Sequence, residues 1–272
     1  MLIAKIKTIL SFLKGMNLLY KISFKLYILR LILIVLINLV DQMNFEKIIN
    51  FIDNKYHHKR IVKFLEKYKI YKLIDVGSHK GEFLKNFLKF KNIKIAYAFE
   101  PQVEIFKILN KNLKKYKNII KHNIALDSKI GKKKIYINKL SSTSTLSTIN
   151  KKSLYLKIKK LLLQNNHSSS RGYIVKTSTF DEFFKKNDLK DVLLKIDVEG
   201  FEYNVLLGSK KLIHKIKFII IEKQFYNLHK GYNFSLSHKF LLKNNFVLHK
   251  KFKFPLMNFE DRLYINTLYK IK

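Results

Sequence analysis

Acidic residues are scarce in this chain, 19 against 55 lysines and arginines. Their densest group lies in the run Leu194-Lys195-Ile196-Asp197-Val198-Glu199-Gly200-Phe201-Glu202. Asp197 and Glu199 follow an apolar stretch that reads as a strand, so they stand at a strand end. A carboxylate placed there can take the proton of a hydroxyl, or accept its hydrogen bond and orient it. The next apolar stretch also ends in an acid, at Ile221-Glu222. Hard oxygen ligands suit magnesium, so Asp197, Glu199 and Glu222 allow a divalent metal. The residues do not favour one, and no metal ligand is assigned.

A second group surrounds glycines. The run Leu73-Ile74-Asp75-Val76-Gly77-Ser78-His79-Lys80-Gly81 ends a strand and opens a helix. Gly77 lets the backbone turn tightly and approach a ligand, and Gly81 lets the next helix sit against the strand. Asp75 can accept hydrogen bonds from a cationic amine or from the loop. An ordinary strand-to-helix turn is the bland alternative. About 20 residues past the loop, Ala98-Phe99-Glu100-Pro101 ends the next strand, where an acid can hold both ribose hydroxyls of a nucleoside. Pro101 is a helix-start signal. The loop lacks the three glycines that cradle a pyrophosphate. Asp-x-Gly-x-x-x-Gly followed by a ribose acid therefore favours S-adenosylmethionine over a nicotinamide cofactor. Ser78 falls inside the same cofactor loop. His79 is a candidate base because imidazole titrates near neutrality; the alternative is a loop residue touching cofactor or solvent.

These residues need a scaffold that brings strand ends together. Strands are expected at Lys72–Val76, Lys94–Phe99, Ile119–Ile124, Lys133–Asn138, Tyr173–Thr177, Val192–Asp197, Lys217–Glu222, Asn245–Lys250 and Arg262–Thr267. Helices are expected at Gly81–Phe90, Val103–Tyr116, Phe201–Ile213 and Ser235–Asn244. Such alternation implies a mostly parallel sheet covered on both faces, with ligands beyond the carboxyl ends of its strands. Residues 41–70 read as connecting helices. The division expected is a helical extension over 1–70 and a catalytic domain over 71–272.

With these segments in place, the chain resembles the FkbM-type methyltransferase family. The likeness is carried by Leu73–Gly81, Phe99-Glu100-Pro101, Asn123-Ile124-Ala125-Leu126, Val175–Phe184, Leu194–Glu202, Ile219–Glu222 and Arg262–Asn266. It implies a class I, Rossmann-like α/β fold with seven strands, the last antiparallel. It also implies O-methylation of sugar or natural-product hydroxyls. By the same likeness Asp75, Gly77, Gly81 and Glu100 are cofactor residues, Asn123 and Ala125 lie near the adenine, and Asp197 and Glu199 face the reacting centre. Family members commonly have Ala-Asn where this chain has Ser78-His79, which leaves the role of His79 open.

Composition adds bounds. A net charge of +36 taken alone suggests nucleic acid or an anionic membrane. Arginine, the residue suited to specific phosphate and base recognition, occurs only at positions 30, 60, 171 and 262. Nucleic acid is disfavoured, and an RNA methyltransferase or basic RNA-binding protein is the alternative reading. A third is a non-catalytic, membrane-tethered scaffold, against which the intact glycines and acids argue. Without cysteine there is no disulfide, thiolate zinc site or thiol nucleophile.

In residues 1–40, Lys7, Lys14, Lys21 and Lys25 share one helical face, and an apolar run follows from Leu31 to Val40. Lys25 and Arg30 interrupt the best spanning window, at roughly 2.5–3.5 kcal/mol for a central arginine. An amphipathic helix on the inner face of a membrane fits. The alternative is a helical pair packed on protein. The expected setting is cytoplasmic, with a small-molecule or glycan acceptor that lipid could carry. Ser141–Thr148 and Asn165–Ser170 are hydroxyl- and amide-rich, suited to a polyhydroxylated acceptor or to an unstructured insertion.

Overall fold

The computed structural model describes residues 53–90, 93–137, 171–224, 232–254 and 259–270. All belong to one compact unit, Asn50–Lys272. The expectations placed on residues 1–40, Ser141–Thr148 and Asn165–Ser170 lie outside the described residues. Among the described residues, no helix is long and apolar enough to cross a membrane.

A seven-stranded sheet forms the body, in the order β3-β2-β1-β7-β8-β10-β9. Its strands are β1 (Lys72–Val76), β2 (Ile95–Phe99), β3 (Ile119–His122), β7 (Val192–Ile196), β8 (Phe218–Gln224), β9 (Phe246–Lys253) and β10 (Phe259–Asn266). Pairings from β3 through β8 are parallel, while β10 runs antiparallel to both β8 and β9. The seven strands and antiparallel last strand implied by the resemblance are therefore present. A second sheet, β4 (Ala125–Leu126), β6 (Arg171–Ser178) and β5 (Gly131–Ile137), stands apart with its own small core of Ala125, Ile135 and Val175.

The central strands are buried on both faces, so their sequences are nearly continuous apolar runs, as in FIIIEKQ of β8. Period-2 alternation then separates two cores. Leu73, Leu193, Phe218, Ile220 and Leu263 face one side, with Ile61 and Leu65 of α1 (His58–Leu65) and Phe83, Leu84 and Phe87 near α2 (Glu82–Phe90). Ile74, Leu194, Ile196, Ile219, Ile221 and Tyr264 face the other, with Phe180 and Phe184 of α4 (Phe180–Phe184), Val205 and Leu206 of α5 (Glu202–Leu207) and Leu241 of α6 (Phe234–Lys243). In α1 the buried His58, Ile61, Val62 and Leu65 recur at helical spacing, so this helix packs into the main core. Thr179 starts α4 by accepting the backbone N–H of Glu182 at 3.1 Å.

Three expected elements differ. The strand expected over Ile119–Ile124 ends at His122, where the Asn123 side chain donates to the carbonyls of Glu100 and Pro101 and draws the chain out of the main sheet. Helix α3 (Val103–Asn112) stops short of Tyr116. The helix expected over Phe201–Ile213 ends at Leu207, where the chain turns to give the Gly208 carbonyl to Asp181 N–H at 3.0 Å.

Candidate active site

The sheet order reverses at β1, which has β2 on one side and β7 on the other. A crevice beyond the strand ends is expected at that point. The β1 turn is held by two backbone bonds, from Gly77 N–H and Ser78 N–H to the Phe99 carbonyl, at 3.0 and 2.9 Å. Gly77 has φ +85°, and a Cβ there would lie 1.8 Å from the Asp197 carbonyl oxygen. Only glycine lets the turn press against the end of β7. Gly81 serves differently from the expectation. A Cβ there would meet Leu109 and Leu113 at 3.0 and 2.9 Å, so it admits α3 and its following turn rather than the strand.

Glu100 is buried at the tip of β2. Its two oxygens accept the backbone N–H groups of His79 (3.0 Å) and Gln102 (2.8 Å). Burial pushes its carboxyl up to about 7, against those two bonds. A carboxylate has about four acceptor positions, so two remain for the paired hydroxyls of a ribose. Pro101 precedes α3, and Asn123 locks the Glu100–Pro101 backbone through its amide. Ser78 donates its hydroxyl to the Asp75 carbonyl at 2.8 Å, closing the loop. Ala125 lies in the small core of the second sheet. His79 has φ +47°, and its ring nitrogen stands 3.4 Å from Glu82. The structure thus ties His79 to the cofactor loop through its backbone and to the start of α2 through its ring.

Beside this loop, one sheet face changes character along its strands. Leu73, Leu193 and Phe218 begin it; Asp75, Lys195 and Glu222 continue it toward the carboxyl ends. Register places Asp75 opposite Lys195 and Glu222 opposite Asp261. Lys195, buried, donates to Asp197 at 2.8 Å and stands 3.9 Å from Asp75. Burial would lower the Lys195 amine, but the Asp197 and Asp75 carboxylates hold it above its ordinary value. Neither Asp75 oxygen has a hydrogen-bond partner, and burial pushes its carboxyl up to about 6. Burial would likewise raise Asp261, yet the 2.8 Å hydrogen bond with His57 holds it below the usual range.

Asp197 and Glu199 line the partly exposed end of β7. Glu199 has φ +52°, uncommon for a non-glycine residue, and such strain gathers at functional sites. Asp197, Glu199 and Glu222 bring carboxylate oxygens within 4.8 Å of one another. Burial, then the charges of Asp197 and Glu199, hold Glu222 well above the carboxylate range. Glu202 is buried, accepts the Gly200 N–H at 2.9 Å and is pushed up to about 8 by burial. That bond ties it to the turn before its own helix rather than to the partly exposed pair. Sequence reasoning missed Lys195, Gln224, Asp261 and His57. A lysine inside the otherwise apolar strand VLLKI was the available signal for the first, whereas Gln224 closes the polar end of FIIIEKQ and carried none.

The glycine turn, the Glu100 carboxylate with acceptor positions to spare and the Asp75 oxygens that lack hydrogen bonds fit an S-adenosyl nucleoside. Comparisons with known proteins bear on this reading. No curated protein sequence matches the chain. Among solved structures, TrmK of M. capricolum bound to S-adenosyl-homocysteine is 12% identical over 78% of this chain and 68% of that one, with TM-score 0.42. A SAM-dependent methyltransferase from Aquifex aeolicus is 11% identical over 80% and 93%, TM-score 0.45. Precorrin-6y C5,15-methyltransferase from Geobacter metallireducens is 9% identical over 76% and 86%, TM-score 0.42. At such scores these likenesses carry no weight of their own. The sequence model described as the methyltransferase FkbM domain, however, matches residues 75–248, from the acid of the first strand into β9. The chain therefore belongs to the FkbM methyltransferase family, with S-adenosylmethionine as its methyl donor.

Proposed function

We propose that the protein methylates a hydroxyl of a sugar, a glycan or a related small molecule. The observation that carries this reading is the partly exposed Asp197–Glu199 pair beside the cofactor loop. When bound, S-adenosylmethionine supplies an electrophilic methyl group. Lys195 fixes Asp197, and Gln224 donates to Glu199 at 2.6 Å, so both acids are held in place. Fixed carboxylates can orient an acceptor hydroxyl and accept its proton. A cavity of about 590 Å³ adjoins Gln224, lined also by Tyr232, Phe234, His238 and Arg262. Its mix of aromatic and polar groups suits a polyhydroxylated ring. The expectation that residues 1–40 rest on a membrane would bring the enzyme to lipid-linked acceptors, and vesicle flotation of the full chain tests it.

Radiolabelled methyl transfer into free sugars and lipid-linked glycans is the direct test. Label in base-stable ethers is expected; label entering only RNA would refute the reading. Asp197→Asn and Glu199→Gln should each slow turnover at least about tenfold, roughly 1.4 kcal/mol of barrier; Glu199→Gln should melt near wild type, and Asp197→Asn somewhat lower, because Lys195 then keeps only Asp75. Full activity in both variants would remove these acids from the reaction.

A further inference from the structure

The cavity of about 590 Å³ has cations in its wall: Lys223, His238 and Arg262 line it together with the Phe234 ring. The Arg262 guanidinium lies 4.9 Å and the Lys223 amine 5.9 Å from the centre of that ring, so both charges converge on one aromatic side chain. Arg262 does not belong to the general lysine excess, since the chain has only four arginines. Its side chain is 11% exposed and is fixed by Glu260, whose Oε1 accepts from Nε and Nη2 at 2.7 Å each. His238 is fixed as well, by a 2.8 Å hydrogen bond between its Nδ1 and the Tyr264 hydroxyl.

These charges are gathered at a cost. Arg262 stands directly opposite Lys251 in the pairing of β10 with β9, and like charges so placed destabilise a sheet. Lys223 stands opposite Glu260, the acid that Arg262 already engages. Burial, then the charge of Arg262, holds the Lys223 amine below its ordinary value. Burial, then the charges of Arg262, Lys251 and Lys223, does the same to the His238 ring. An oxyanion in the cavity relieves this repulsion, and the planar guanidinium fork suits a carboxylate or a phosphate. Gln224, also in the lining, donates to Glu199 at 2.6 Å, so the acid pair lies one hydrogen bond behind the cavity wall. Those acids repel an anion and accept from hydroxyls. A ligand carrying both groups is therefore set in one direction, its oxyanion toward Lys223 and Arg262 and its hydroxyl toward Asp197 and Glu199.

We propose that this cavity binds the carboxylate or phosphate of an acidic sugar, held by Arg262, Lys223 and His238. In placing the methylated hydroxyl on that sugar the proposal rests on the O-methyltransferase reading; oxyanion binding itself does not. The test is calorimetry on the full chain saturated with S-adenosyl-homocysteine and titrated with glucuronate, glucose 6-phosphate and glucose. One acidic sugar per chain is expected, bound at least about tenfold more tightly than glucose and weakened by salt. Whichever of the two binds better identifies the oxyanion. Arg262→Gln strips the enclosed Glu260 of its cation, so the deciding variant is Lys223→Gln, on a half-buried side chain. It should weaken the acidic sugars at least about fivefold and leave glucose and S-adenosyl-homocysteine unchanged. Lys107→Gln removes a charge outside the cavity and should alter none of them, which separates this site from the general attraction of a lysine-rich surface. Acidic sugars no tighter than glucose, or affinities in Lys223→Gln equal to those in Lys107→Gln, would overturn the proposal. If acidic sugars bind as expected while label never enters their hydroxyls, the oxyanion site stands and the O-methylation reading falls.

Discussion

Replacing Lys195 with methionine is expected to destabilise the protein by about 3–5 kcal/mol, the usual consequence of removing one partner from a buried ion pair. The lysine is 3% exposed and stands between Asp75, fully buried, and Asp197. Methionine fills much the same space beside Phe83, whose ring centroid lies 5.2 Å from the amine. The loss is therefore electrostatic rather than a cavity. At roughly 2–4 °C per kcal/mol for a domain of this size, the melting temperature should fall by about 6–20 °C. The pH dependence has a definite sign. The Asp75 carboxyl is raised to about 6 in the folded protein, so its contribution is full below its unfolded value and is lost as pH rises through about 6. Without Lys195 the carboxyl rises further, and the deficit should be larger at alkaline than at mildly acidic pH. Adding Asp75→Asn should restore much of the stability, because it removes the charge left behind. Thermal melts of the two single variants and the double variant measure this coupling. A loss below about 1 kcal/mol, within the range of an exposed pair, would show that Lys195 balances nothing.

That pair also marks how far the sequence could be read. Asp75, Gly77 and Glu100 were legible because each lies at a strand end and the chemistry follows from local spacing. Asp197 and Glu199 were legible because acids are rare here and these two cluster. Lys195 was not. Within VLLKI it reads as a polar interruption, and its meaning depends on β1 lying beside β7, a neighbour distant in sequence. Asp261 gains its place opposite Glu222 only through the antiparallel insertion of β10. Its partner His57 comes from a segment that reads as connecting helix, where an amphipathic pattern gives the buried face but not what it touches. The early end of the third strand was hidden for the same reason. Asn123 leaves the sheet because its side chain finds two carbonyls on the neighbouring loop, and no local propensity signals that.

Glu100→Ala should weaken the binding of S-adenosyl-homocysteine by at least about 100-fold. A hydrogen bond to a charged group contributes roughly 1.5–3 kcal/mol, and a ribose offers this carboxylate two. The substitution also leaves the backbone N–H groups of His79 and Gln102 without their acceptor, which loosens the loop that forms the site. The wild type should report the carboxylate through pH. Burial holds Glu100 up at about 7, whereas ribose hydroxyls donate to its ionised form. Affinity should therefore climb as pH rises toward about 7 and then level, by up to about tenfold per unit on the acidic side. Folding runs in the opposite sense. A raised carboxyl contributes its stability below its unfolded value and loses it as pH passes through about 7, so the free protein weakens over the interval in which ligand binding strengthens. The rise in melting temperature given by saturating S-adenosyl-homocysteine should accordingly be larger near pH 8 than near pH 5.5. Glu100→Gln, which has no proton to exchange, should bind weakly and without this pH dependence. Calorimetry across that range decides the matter: a flat profile in the wild type, or undiminished affinity in a folded Glu100→Ala protein, would take Glu100 off the ribose.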